Sequence, residues 1–260
     1  MYKRQSLSAL AFAFSAIPCL FLLIVSIIVY QTKSYKDVAP SLYGIRFSLT
    51  RSIVGLGGQF FVIMVSMLFV FQFVNIILSR LQGPEAVTQY NITYKYFNVL
   101  NMIVNIVLNP FWSAFTDAYI KKDYDWMRSV LNKLEKMWLL CIPVLLLMLV
   151  SSNFLYKLWI GDSVIISFSL SVCMAIYVLC QTGGNIYMYL INGTSKVRLQ
   201  LIVYLLFALI SLPLIEYCCK YCGIEGVLIV PAVAFVLQAC IGRIQILKMI
   251  NGTAKGIWLK

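Results

Sequence analysis

Residues 90–119 read YNITYKYFNVLNMIVNIVLNPFWSAFTDAY and decide the class of fold. The stretch is mostly apolar and long enough to cross a bilayer, yet polar side chains recur along its length. At about 100° per residue, an arc of roughly 120° holds most of them, and we call this arc the polar seam. The seam consists of Asn91, Lys95, Asn98, Asn101, Asn105, Asn109 and Ser113. It cannot face lipid, because an unpaired amide in hydrocarbon costs several kcal/mol.

The polar seam has two interpretations. Its asparagines can bond neighbouring helices to one another, or they can line a hydrated route for a polar substrate. Lys95 favours the second interpretation, a hydrated route, because a cation inside a membrane is energetically unfavourable and usually serves a function. Two further predicted helices carry polar faces, formed by Gln72, Asn75 and Ser79 in one and by Gln181, Asn185 and Asn192 in the other. Three such faces predict a shared hydrated cavity.

The composition is that of an integral membrane protein. Hydrophobic residues make up 62% of the 260-residue chain, charged residues make up 12%, and the mean hydropathy is +0.89. A soluble domain carries about 25% charged residues. Histidine, the commonest general base, is absent. The net charge of +12 does not indicate a nucleic-acid partner, because most basic residues lie in short loops where membrane topology explains them.

Seven apolar runs are long enough to span a bilayer. They lie at 6–30, 52–79, 87–117, 137–156, 164–190, 197–217 and 224–247. They predict an all-α integral membrane protein with about seven transmembrane helices. Alternating the loops puts fifteen of the 21 lysines and arginines on one side and five on the other. The positive-inside rule therefore places the first side, with the tail 249–260, in the cytoplasm.

Three segments outside the spans need separate interpretations. Residues 1–5, MYKRQ, match the translation of a common sequencing adaptor and are a candidate scar. Residues 31–51 form the longest loop without a strong helix pattern. Apolar residues at 119–137 recur at helical spacing opposite basic residues, which predicts an amphipathic helix on the cytoplasmic membrane face. The alternative is a solvated extension of the next span.

The chain lacks the residue patterns of an enzyme. It contains no P-loop, no serine–histidine arrangement and no acid pair placed to bind a metal, so we predict no catalytic residue, cofactor or metal. Cys218, Cys219 and Cys222 are close in sequence, but three thiols without histidine make a poor zinc site. The sequence leaves open whether a disulfide forms among these three cysteines.

Four basic residues are candidate ligands for an anionic head group such as a pyrophosphate. Lys95 lies inside the third predicted helix. The others are Arg46, Arg51 and Arg80, near the two ends of the second predicted helix. Terminal basic residues ordinarily extend to the membrane interface, which is the alternative interpretation of these three arginines.

Two segments carry a family resemblance. They are GPEAVTQYNITYKYF at 83–97 and NPFWSAFTDAYIKKDYDWM at 109–127, with support from FQFVNIILS at 71–79 and NGTSKVRLQ at 192–200. The chain resembles the polysaccharide-export branch of the multidrug/oligosaccharidyl-lipid/polysaccharide flippase superfamily, which includes O-antigen flippases of the Wzx type. The resemblance covers nearly the whole chain after the candidate scar. One departure is Val74-Asn75, where the family leads us to expect Asp-Asn.

The resemblance implies an alternating-access transporter with two six-helix lobes around a central cavity. Residues 6–30 would be the last helix of the N-terminal lobe, 31–51 a cytoplasmic inter-lobe loop and 52–248 the C-terminal lobe of a longer protein. The implied activity is transfer of undecaprenyl-pyrophosphate-linked oligosaccharide across the bacterial inner membrane, for O-antigen or other surface polysaccharide. The implied partners are this lipid-linked oligosaccharide, membrane lipid and other polysaccharide-assembly proteins.

Two alternatives stay open at this stage. A cation or drug antiporter of the same superfamily should carry acids in its cavity, and this lobe offers only Asp117 near a helix end. A membrane glycosyltransferase or polysaccharide polymerase should carry histidine, metal-binding carboxylates or large outer loops. Drug-efflux and sugar-transfer assays separate these classes from a flippase.

Overall fold

The computed structural model describes residues 4–32, 35–40, 47–161 and 164–259, with side chains at 11–32, 35–40, 54–68, 73–161 and 164–259. The described residues form helices and no strands. The chain divides into two compact units, Met1–Ile53 and Val54–Lys260. In the first unit, helix α1 spans Arg4–Gln31, and its described side chains are mostly exposed. A single 3-10 turn follows at Lys36–Val38.

Five long helices follow α1. They are α2 at Phe47–Leu81, α3 at Pro84–Lys121, α4 at Tyr124–Ile160, α5 at Phe168–Thr194 and α6 at Arg198–Ile250. Helix α6 is interrupted at Gly223, whose φ of 67° and ψ of −146° are not helical, and we name its halves α6a (198–222) and α6b (224–250). Gln245, late in α6b, donates to the carbonyl oxygen of Lys196 before α6a at 2.9 Å, so the two halves fold back on each other.

The all-α part of the predicted fold is confirmed. Six helices among the described residues are long and apolar enough to span a membrane. The sequence predicts seven spans, and the difference lies in α6. Its two halves, separated by the non-helical backbone of Gly223, correspond to the last two predicted spans.

Residues 119–137 do not form a helix of their own. Helix α3 ends at Lys121, and the Asp123 side chain accepts a hydrogen bond from the Trp126 N–H at 3.1 Å to cap α4. Helix α4 then continues without a break into the predicted span. The segment is therefore continuous with that span, and several of its apolar side chains are buried against the protein. Its position relative to a membrane stays a prediction.

Helix α5 is the most buried of the six candidate spans. Three glycines let its neighbours approach closely. Gly183 faces the Trp138 ring of α4, Gly184 faces Phe235 of α6b, and Gly193 faces the backbone of α3. A Cβ added at Gly193 would lie 2.8 Å from the carbonyl oxygen of Trp112, so a larger residue there would push α3 away.

Polar side chains join the helices at their ends. On the end that holds the α3–α4 turn, Glu135 of α4 accepts hydrogen bonds at 2.8 Å from Tyr187 of α5 and from Arg243 of α6b. On the opposite end, Gln82 after α2 donates to the carbonyl oxygen of Cys219 in α6a at 3.3 Å. Helix α5 packs against α3, α4 and α6. Helix α3 buries one face and leaves the other exposed.

Candidate functional site

Part of the polar seam bonds α3 to α5. The Asn185 side-chain amide of α5 donates to the Oδ1 atoms of Asn101 and Asn105, both at 3.1 Å, and Asn101 donates to Asn98 Oδ1 at 3.0 Å. Asn101 and Asn185 are only 7% and 6% exposed. We call these four residues the asparagine network. It behaves as the helix-bonding interpretation expects, since each amide satisfies another inside an apolar bundle.

A second set of hydrogen bonds connects α3 to α2. Asn91 Nδ2 donates to Asn75 Oδ1 at 3.0 Å and to the carbonyl oxygen of Val87 at 2.8 Å. The aromatic rings of Phe60 and Trp112 meet 5.9 Å apart at the other end of the same helix pair. Asn75 and Asn91 are therefore held by each other, half-buried, at the edge of the bundle.

The rest of the polar seam is exposed. Lys95, Asn109 and Ser113 lie on the outer side of α3, farther around the helix than the asparagine network, and Met102 between them is 58% exposed. Lys95 has no ion-pair partner among the residues that the structure describes. The seam is thus split lengthwise. Its inner edge bonds α5, and its outer edge presents a cation, an amide and a hydroxyl away from the bundle.

Orphaned polar atoms lie beside the asparagine network. Gln181 is one helical turn before Asn185 on α5 and is 8% exposed, and its Oε1 atom has no hydrogen-bond partner among the residues that the structure describes. The hydroxyl of Tyr177, one turn earlier, is equally unpaired. The rings of Tyr90 and Tyr94 stack with centroids 6.1 Å apart on the facing side of α3. The polar pattern of the sequence does not single out Tyr90 or Tyr177, because aromatic residues at helical spacing usually fill apolar cores.

The predicted arginines do not join Lys95 in the structure. Arg80 lies about 140° around α2 from Asn75, in a groove toward α6a that also contains Glu216. Lys95 lies on α3, on the exposed side of the seam. Arg46 lies outside the described residues, and the side chains of Arg51 and Gln72 lie outside the described side chains. The structure therefore pairs Asn75 with Asn91 and, separately, joins the four members of the asparagine network. It leaves Lys95 and Arg80 on separate surfaces.

No metal centre or disulfide occupies the described part of the chain. All eight cysteines are free thiols, including Cys218, Cys219 and Cys222. No group of three metal-binding side chains comes together among the described residues.

Fold, helix length and hydropathy define a multi-pass membrane protein. No family model, no curated protein and no solved structure matches the chain.

Proposed function

We propose that the chain forms one lobe of a flippase that moves an undecaprenyl-pyrophosphate-linked oligosaccharide across the bacterial inner membrane. The resemblance of 83–97 and 109–127 to polysaccharide-export flippases supports this class. No covalent chemistry is needed, because the substrate only changes leaflet. The C-terminus lies in the cytoplasm in this proposal, as the distribution of basic residues favours.

The observation that carries the proposal is the position of Lys95. Helix α3 contains 38 residues, and Lys95 lies about 11 Å from its midpoint at 1.5 Å per residue. A helix centred in a hydrocarbon layer about 30 Å thick would therefore hold this lysine inside the layer. Lys95 is exposed and unpaired within the described bundle. A cation in that position is stable only beside water or an anion, and the pyrophosphate of the substrate supplies the anion.

The exposed edge of the polar seam extends this site along α3. Asn109 and Ser113 follow Lys95 at intervals that keep them on the same side of the helix. Their amide and hydroxyl groups can exchange hydrogen bonds with the hydroxyls of a glycan while it passes. The asparagine network behind them serves a different purpose, because it fixes the spacing of α3 and α5 and keeps that edge rigid.

Replacement of the cation tests the proposal. In cells that depend on the full-length gene product, Lys95→Ala should abolish surface polysaccharide while protein abundance in the membrane stays normal, and Lys95→Arg should retain part of it. Lys133→Ala removes an exposed lysine of α4 and is the matched control. Normal polysaccharide in the Lys95→Ala strain would remove Lys95 from the mechanism. A change in drug efflux without a change in polysaccharide would favour the antiporter.

A further inference from the structure

A groove between α2 and α6a combines charge and apolar surface. Its volume is about 340 Å³, within the range of small-molecule sites. Arg80 of α2 and Glu216 of α6a provide the charges, and apolar side chains that include Ile76, Leu81, Leu212 and Pro213 provide the remaining wall. The Gln82 bond to the Cys219 carbonyl holds the two helices together at this end.

The two charges of the groove are not paired. Arg80 and Glu216 are exposed side chains that line one cavity, yet neither forms an ion pair with the other or with any other residue in the described part of the chain. Opposite charges held across a gap suit a ligand that carries both charges in the reverse order. Such a ligand would offer an anion to the guanidinium and a cation to the carboxylate.

The position of the groove selects the kind of ligand. Arg80 lies in the last turn of α2, and helix ends of membrane spans lie at the depth of lipid head groups. Ile76, one turn farther into the helix, is 56% exposed on the same side. The charged part of the groove therefore lies at the interface, and its apolar part continues toward the acyl chains.

We propose that this groove binds a phospholipid whose zwitterionic head group carries a phosphate and a primary ammonium, as phosphatidylethanolamine does. The Arg80 guanidinium donates hydrogen bonds to the phosphate, the Glu216 carboxylate accepts them from the ammonium, and the apolar wall packs against an acyl chain. Phosphatidylglycerol would satisfy Arg80 but leave Glu216 without a cation. Phosphatidylcholine would bring a cation that cannot donate a hydrogen bond. The site does not depend on the transport activity.

Lipid retention tests the proposal. The full chain is placed in nanodiscs that contain equal amounts of phosphatidylethanolamine and phosphatidylglycerol, and native mass spectrometry then identifies the lipids that remain bound. Wild-type protein should retain phosphatidylethanolamine about threefold or more above phosphatidylglycerol, because one additional charge-assisted contact has roughly that effect at a partly exposed site. Glu216→Gln should abolish the preference. Arg80→Gln should lower the retention of both lipids, and Arg80→Lys should restore part of it.

The matched control is Glu85→Gln, which removes an exposed acid near the same end of the bundle but outside the groove. It should keep the wild-type preference. All four variants change exposed side chains, and monodisperse elution from a sizing column shows that they are folded. Equal retention of the two lipids by wild-type protein would overturn the proposal, and so would an unchanged preference in Glu216→Gln. Replacing phosphatidylethanolamine by phosphatidylcholine should also reduce retention, and undiminished retention would contradict the ammonium contact.

Discussion

The asparagines of α3 differ in role because they differ in angle around the helix. Asn101 faces α5 and is buried, whereas Asn109 lies about 80° farther around and is exposed. The same residue type therefore bonds helices in one position and stays exposed in another. The spacing of the seam could be predicted from sequence, but its division could not, because the division depends on which side of α3 the partner Asn185 approaches.

Removal of the central amide should loosen the bundle. Asn185→Ala takes away the donor that serves both Asn101 and Asn105, so one buried and one half-buried acceptor lose their partner. We expect a loss of about 1–2 kcal/mol in the free energy of unfolding, since bonds between membrane helices contribute modestly. Asn109→Ala, in the exposed edge of the seam, is the control and should change little. Thermal unfolding in detergent measures both variants, and equal shifts would show that the network does not stabilise the fold.

Among the helices, α6 shows how one backbone position sets the architecture. Gly223 adopts a conformation with φ of 67° that residues with a Cβ rarely adopt, and the chain reverses there. Three residues later, Gly226 passes so close to α6a that an added Cβ would lie 2.2 Å from the carbonyl oxygen of Cys218. The hydropathy pattern predicts two spans here, but it does not reveal that the turn between them is so tight.

Alanine at Gly226 should separate the two halves of α6. Because the clash involves backbone atoms that cannot rotate away, Gly226→Ala should lower the free energy of unfolding by about 1–3 kcal/mol. Gly57→Ala makes the same change in α2, where nothing lies within 4 Å of the added Cβ. That control should be neutral or stabilising by about 0.5–1 kcal/mol, since alanine favours a helix. A smaller loss at Gly226 than at Gly57, in the same thermal unfolding assay, would contradict the tight turn.

In the second unit as a whole, basic residues collect at one end. The α3–α4 turn, the α5–α6 turn and the end of α6b carry most of its lysines and arginines, whereas the opposite end carries Arg80, Lys157 and Lys220. These three segments lie at the same end because successive helices run in opposite directions, as the predicted spans require. The lipid-facing and water-facing sides of the bundle could not be predicted from the sequence, because both expose apolar residues such as Met102 and Ile103.

Thiol labelling tests the orientation of this unit. Cys222 is exposed beside the α6 turn, at the opposite end of α6b from Lys255. A maleimide that cannot cross membranes should label Cys222 in spheroplasts with intact inner membranes, and Cys222→Ser should remove that label. In a cysteine-free background, Lys255→Cys should react only after the inner membrane is opened. The reverse pattern would place the C-terminus outside and overturn the assigned topology.

In the proposed mechanism, the exposed edge of the polar seam meets water inside the membrane. In a cysteine-free full-length protein, single cysteines replace Lys95 and Asn109 on the seam and Ile103 and Val107 on the apolar side of α3. The reaction rate of each thiol with a small charged reagent is then measured in membrane vesicles. Lys95→Cys and Asn109→Cys should react at least about tenfold faster than Ile103→Cys and Val107→Cys. The reason is that thiols react as thiolates, which need water. Equal, slow rates at all four positions would show that the seam is dry and that no hydrated route runs along α3.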